Sequence, residues 1–130
     1  MPFQSGVAAN VVAFLLSLKF VINKTMSSEI RQLDPKALWN KFADLNSVPR
    51  PSKKEERVIA FMKDFGKNLG LETIEDEVGN VIIKKPATAG MENRTTVVMQ
   101  SHLDMVHQKN NDTEFDFDTQ GIDMFIEGDW

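Results

Sequence analysis

Two polar side chains that could hold a metal ion follow a short apolar run late in the chain. The run occupies positions 97–99, and the side chains are those of His102 and Asp104. We predict a buried strand over Thr95–Gln100, since short apolar runs bounded by polar residues are typical of strands. Side chains two positions apart in an extended segment point to the same side. A neutral imidazole can bind a metal through one nitrogen while a carboxylate accepts a hydrogen bond from the other, so His102 is the candidate ligand and Asp104 its orienting partner.

The composition narrows the chemistry that such a site could use. The chain has 130 residues and no cysteine, so a thiolate site and a disulfide framework are both excluded. Any metal must then be bound by histidine, carboxylates and water, the ligands of many zinc hydrolases. The formal net charge is −4, and because no basic patch is interleaved with aromatic residues, we do not expect nucleic-acid binding.

The end of the chain is acidic, which raises the question of calcium. Beyond Lys109 the charged residues are all acids, but the spacing of a calcium-binding loop is missing. We therefore interpret this region as a solvated loop and hairpin face. The acids are Asp112, Glu114, Asp116, Asp118, Asp123, Glu127 and Asp129.

Several motifs follow one another in a fixed order from about Leu33 onwards. They read DPKALWNKF at 34–42, SVPRPSKKEE at 47–56, GNVII at 79–83 and QSHLDMV at 100–106, and the segment at 115–130 completes the series. In this order they resemble the opening of bacterial aminoacylhistidine dipeptidases, also called Xaa-His or cytosolic non-specific dipeptidases. These enzymes belong to a large family of dizinc metallopeptidases.

The resemblance implies a fold and a set of roles. The fold would be α/β, the N-terminal fragment of a dizinc exopeptidase-like catalytic domain with two helices followed by a mixed sheet. His102 would be a zinc ligand and Asp104 the catalytic-site carboxylate that orients its ring. The complete site would bind two zinc ions, with cobalt or manganese as alternatives, and its other ligands would lie outside these 130 residues.

The resemblance also implies an activity. The full-length protein would hydrolyse dipeptides, of Xaa-His type or broadly, in the cytoplasm, and could form a homodimer, whereas this chain alone would be an incomplete and inactive fragment. Two alternatives stay open. One is a non-catalytic acidic α/β binding module in which His102 and Asp104 are merely polar neighbours. The other is a truncated protein that binds a partner through an exposed sheet edge.

The N-terminus forms a separate predicted segment. We expect residues 1–25 to be a non-homologous extension that arises from a misassigned start, with the truncated peptidase domain occupying 26–130 from Met26. The apolar stretch Val7–Ile22 is shorter than a membrane span needs and lacks the flanks of a secretory signal. Membrane association is therefore not expected, and the alternative to a misassigned start is a weak amphipathic or signal-anchor segment.

Two helices should precede the strands. We predict a first helix with Asp34 as N-cap, Pro35 in its first turn, and one apolar stripe. Pro49 and Pro51 end it and leave Arg50 either at an active-site rim or in a rigid link. The predicted stripe comprises Leu38, Trp39, Phe42 and Leu45.

The second helix should begin at a capping box formed by Ser52 and Glu55 and end near Gly70. Strands are predicted over Leu71–Glu77 and Val81–Ile83, joined by a turn at Gly79-Asn80, and again over Ile122–Ile126. We assign His107 no ligand role, because it need not converge with His102. The buried face of the second helix is predicted to comprise Val58, Ile59, Met62, Phe65 and Leu69, and Phe61 is also predicted to be core rather than a ligand-stacking ring.

Overall fold

The computed structural model describes residues 29–128, which fall into two compact units. The first unit, Met1–Ser47 with Ile122–Trp130, is described over residues 29–47 and 122–128. The second unit is Val48–Gly121. The predicted extension over 1–25 and the start at Met26 lie outside the described residues.

Helix α1 of the first unit spans Lys36–Asn46 and is preceded by an extended Pro35. The prediction of Asp34 as N-cap is wrong, because Pro35 itself is the cap residue. The Pro35 carbonyl oxygen accepts hydrogen bonds from the N–H groups of Leu38 and Trp39 at 3.0 and 3.3 Å. The helix ends before Pro49, as the sequence predicts.

The inward face of α1 differs from the predicted apolar stripe. Ala43 and Asn46 are buried, whereas Leu38 and Phe42 are 61% and 46% exposed. The Asn46 carbonyl oxygen accepts a hydrogen bond from the Ile122 N–H at 2.8 Å. The buried face of α1, which carries positions 43 and 46, therefore faces the C-terminal segment that begins at residue 122. The prediction of a strand over Ile122–Ile126 is wrong, because no β-structure is found there.

Helix α2 of the second unit spans Glu56–Asn68, with Glu55 as its N-cap residue. The predicted capping box is wrong, since Glu55 instead accepts the Lys53 N–H at 2.6 Å. Val58 is fully buried, as predicted, but Leu69 is 56% exposed. It lies at the end of the helix, beside Gly70, whose left-handed backbone (φ 69°) ends the helix as expected.

Two antiparallel strands follow α2 as a hairpin. They are β1, Glu72–Glu75, and β2, Val81–Lys84, with Thr73 opposite Ile83. The buried Gly66 allows α2 to approach closely, because a Cβ there would meet the Thr73 hydroxyl and the Ile83 side chain. The α/β class and the order of two helices before strands are confirmed.

The sheet itself is smaller than predicted. Between residues 29 and 128 it has two antiparallel strands rather than a mixed arrangement, and Thr95–Gln100 is not a strand. Val97, Val98 and Met99 are 82%, 85% and 92% exposed. A strand needs a neighbour for its N–H and C=O groups, and within the described part of the chain none lies beside this segment.

Candidate functional site

A backbone bridge brings the link between the helices next to the His-x-Asp segment. The Met105 N–H donates to the Arg50 carbonyl oxygen at 2.8 Å, and the Ser52 N–H donates to the Met105 carbonyl oxygen at 3.0 Å. These bonds form a parallel β-bridge between Pro51 and Met105. Pro51 is buried, and its ring restricts the backbone there.

The candidate site is a row of three side chains beside this bridge. His102 Nδ1 lies 2.9 Å from Asp104 Oδ1, and the Ser52 hydroxyl donates to Asp104 Oδ2 at 2.5 Å. Each carboxylate oxygen therefore has one partner. The His102 side chain is 75% exposed. The ring is therefore accessible from solvent, while its Nδ1 atom is in contact with Asp104.

The electrostatics of the row favour an ionised carboxylate. The hydrogen bond from Ser52, followed by that from His102, lowers the pKa of Asp104 below its ordinary value. An ionised carboxylate only accepts hydrogen bonds, so Nδ1 of a neutral His102 must carry the proton. The lone pair is then on Nε2, the nitrogen that could bind a metal ion.

The residues present fit one ligand of a zinc site. A histidine whose second nitrogen is bonded to a carboxylate is the usual form of a zinc-bound imidazole. Over residues 29–128, however, no group of three or more histidine, cysteine or acidic side chains is arranged to hold a metal ion. Since zinc sites ordinarily use three or four protein groups, the described residues by themselves do not form a complete zinc site.

His107 lies apart from this row, in different surroundings. Its ring makes an edge contact with Phe117, with the centroids 6.1 Å apart, and Phe117 in turn contacts Phe115 at 4.9 Å. These residues line a shallow pocket together with residues 51–54, Asp116 and Asp118. The structure thus brings His102 and Asp104 together and leaves His107 against aromatic rings.

Ser52 is the residue of this site that the sequence did not reveal. We predicted it to be a helix cap, because a serine three positions before a glutamate at a helix start is the capping-box pattern. Its partner, Asp104, is 52 positions away, and no local spacing signals such a contact. The link around Arg50 has a structural part in the site, since the Arg50 carbonyl oxygen belongs to the bridge.

The aromatic residues predicted to be core are only partly buried. Trp39, Phe61 and Phe65 are half-buried, and Phe42 makes an edge contact with Trp39, with the ring centroids 5.9 Å apart.

Among the helices described here, none has the length and apolar character needed to cross a bilayer.

Comparison with known proteins identifies relatives of one kind. No protein-family model matches the chain. The chain is 50% identical over 103 residues to a cytosol non-specific dipeptidase of Escherichia coli (strain K12), a match that covers 79% of the chain and 21% of that protein. It is also similar to the crystal structure of an aminoacylhistidine dipeptidase from Vibrio alginolyticus, with a TM-score of 0.74, 46% identity, and coverage of 78% of the chain and 21% of that structure.

Both relatives carry the family name that the motifs predicted, and the chain spans about one fifth of the length of each. The resemblance drawn from the sequence is therefore confirmed, since the chain is similar to part of a cytosol non-specific dipeptidase and to part of an aminoacylhistidine dipeptidase.

Proposed function

We propose that the chain contributes one metal-binding segment to a zinc-dependent dipeptidase. In this proposal His102 is a zinc ligand through Nε2, and Asp104 keeps the imidazole ring in the orientation that binding requires. The observation that supports it is the row Ser52–Asp104–His102, with contacts of 2.5 and 2.9 Å. The names of the two relatives support dipeptides as substrates, of Xaa-His type or broadly.

The roles of the chain's own residues follow from the geometry. Asp104 accepts the hydrogen bond from Nδ1–H, which leaves the Nε2 lone pair free, and the exposure of His102 leaves the ring open to groups from elsewhere in the complete protein. A metal ion bound there would polarise the scissile carbonyl and lower the pKa of a bound water. We propose zinc, as one of two ions in the complete site, with cobalt or manganese as alternatives.

We propose that the chain does not hydrolyse dipeptides by itself. The part described, residues 29–128, offers no group of three or more metal-binding side chains, and a single histidine holds zinc weakly. For the whole protein we propose a cytoplasmic location, in keeping with the name of the Escherichia coli relative. A homodimer of the whole protein is part of the same proposal.

One observation favours a second function, that of a non-catalytic interaction module. Val97, Val98 and Met99 form an exposed apolar segment, and such a segment can pair with a strand of a partner protein. In this alternative His102 and Asp104 are polar neighbours without a metal, so zinc binding distinguishes the two functions.

A chimera tests the proposal most directly. The matching 103-residue segment of the Escherichia coli dipeptidase is replaced by the residues of this chain, and zinc content and dipeptide hydrolysis are measured. We expect the chimera to bind zinc and hydrolyse dipeptides, and the 130-residue chain alone to do neither measurably.

Three variants of the chimera assign the roles. His102→Ala should lose or weaken one zinc ion, and Asp104→Ala should lower affinity or activity about 10- to 100-fold, as is usual for a residue that orients a ligand. His107→Ala is the matched control, because its ring contacts Phe117 instead. A folded chimera without zinc, or full activity in His102→Ala, would overturn the proposal.

A further inference from the structure

We propose that Ser52 is a positioning residue, which fixes the carboxylate of Asp104 and through it the ring of His102. Its hydroxyl donates to Asp104 Oδ2 at 2.5 Å, while Asp104 Oδ1 lies 2.9 Å from His102 Nδ1. The catalytic meaning of this role rests on the proposed function, but the positioning itself can be measured without a metal.

The pair formed by His102 and Asp104 needs such support because it is accessible to water. The side chains are 75% and 32% exposed, and an exposed ion pair or hydrogen bond between mobile side chains holds its geometry poorly. With only one oxygen bound, the carboxylate could rotate about its Cβ–Cγ bond. A second bond, at the other oxygen, fixes the plane of the carboxylate.

The position of Ser52 is set by its backbone rather than by its hydroxyl. The Ser52 N–H is bonded to the Met105 carbonyl oxygen at 3.0 Å, and the Met105 N–H to the Arg50 carbonyl oxygen at 2.8 Å. Removing the hydroxyl therefore leaves the bridge in place. The hydroxyl also lies 3.2 Å from the Met105 carbonyl oxygen, a longer contact to a neutral acceptor, whereas bonds to a carboxylate are shorter and stronger.

The measurable consequence is the tautomer of His102. A neutral imidazole free in solution exchanges between its two tautomers, but a carboxylate that accepts from Nδ1 selects the Nδ1–H form. Ser52 should raise the population of this form by holding the acceptor in place. The Nδ1–H form is also the one that leaves Nε2 free to bind a metal.

The experiment is ¹⁵N NMR of the two imidazole rings in the full 130-residue chain, at a pH where both are neutral and with no metal added. His107→Gln assigns the signals. We expect the Nδ1–H form of His102 in the unmodified chain and a loss of that preference in Asp104→Ala. Ser52→Ala should lower the ratio of the two tautomers about two- to tenfold, the size expected for one hydrogen bond.

Two controls keep the result specific. Ser52→Thr retains a hydroxyl and should restore the tautomer ratio. Ser47→Ala removes a hydroxyl that donates to the Asp44 carbonyl oxygen at 2.7 Å, and should leave the ratio unchanged. An unchanged ratio in a folded Ser52→Ala chain, or no recovery in Ser52→Thr, would overturn the assignment.

The same variants in the chimera separate this inference from the proposed function. If Ser52 positions the ligand, Ser52→Ala should lower kcat by about the same factor as the tautomer ratio, with little change in KM. A chimera that binds no zinc while the tautomer ratio responds to Ser52 would overturn the proposed function and leave the positioning role standing.

Discussion

The ammonium group of Lys54 contacts both carboxylate oxygens of Asp118, at 2.8 and 2.7 Å, although the two residues are 64 positions apart. Lys54 lies two positions before the first residue of α2, and Asp118 lies in the acidic loop beyond Lys109, after the candidate site. This pair therefore connects the acidic loop to the start of the helix. Its side chains are 56% and 51% exposed, so the strength of the contact depends on the solvent.

A double-mutant cycle measures this pair. We expect Lys54→Ala and Asp118→Ala to be coupled by about 0.2–1 kcal/mol, the range for exposed ion pairs. The free energy of unfolding in urea should be compared at low salt and in about 1 M salt, where screening is strong. Coupling that persists unchanged in high salt would show that the pair is not an exposed ion pair.

The close approach of α2 and the hairpin predicts a clash in Gly66→Ala. A Cβ at this position would meet the Thr73 hydroxyl and lie 3.1 Å from Ile83 Cγ1. Overpacking of this kind costs about 1–3 kcal/mol, more than the gain of about 1 kcal/mol in helix propensity. We expect a net loss in the free energy of urea unfolding, with partial recovery when Thr73→Ala is added. A more stable Gly66→Ala chain would contradict this packing.

The turn of the hairpin should be sensitive to acid. Asp76 accepts hydrogen bonds from the Asn80 side chain at 2.7 Å and from the backbone N–H groups of Asn80 and Val78 at 2.8 and 3.0 Å. The Asn80 side chain is the largest cause that lowers the pKa of Asp76. Because the folded pKa is below the unfolded value of about 3.9, the stabilisation is present above that value and is lost as the pH falls through the folded pKa.

Carbon-13 titration of the carboxyl groups measures this effect. We expect the pKa of Asp76 to rise towards its ordinary value in Asn80→Ala, which removes the side-chain donor and keeps the backbone donors. Glu92 is the internal control, since its pKa is lowered by the N–H groups of Glu92 and Gly90 and should not respond. An Asp76 titration that is identical in both chains would contradict the hydrogen bond from the Asn80 side chain.

The exposed segment over Val97–Met99 predicts that the chain, on its own, self-associates as its concentration rises. Unpaired backbone groups next to apolar side chains favour pairing between copies. We expect sedimentation to show concentration-dependent association that Val98→Lys reduces. Val78→Lys is the matched control, because Val78 is 83% exposed and Val98 85%, but Val78 lies in the hairpin turn. Monodisperse behaviour of the unmodified chain at every concentration tested would be contrary to this expectation.

Local patterns were sufficient for some elements and insufficient for others. Both helices and the hairpin were predicted because periodicity, proline positions and the Gly79-Asn80 turn are properties of neighbouring residues. The buried side of α1 was predicted wrongly. Asn46 is buried by contacts with residues 122 and 124, at 2.8 and 3.2 Å, and a helical stripe carries no information about such distant partners.

The same limit explains what was found of the site. His102 and Asp104 were identified as a pair because their spacing and chemistry are local, although the predicted strand before them is not formed. Ser52 has a local pattern too, but that pattern predicted a cap. Its contact with Asp104 depends on the bridge between Pro51 and Met105, which forms only through tertiary structure.

The bridge between Pro51 and Met105 closes a loop that contains α2 and both strands. Closing such a loop has an entropic cost that is recovered only when the enclosed elements are folded. We therefore expect Ser52 and Asp104 to come together late in folding, after the helix and hairpin have shortened the distance between them. A ligand held through His102 would stabilise the whole unit, because any ligand that binds only the folded form shifts the folding equilibrium.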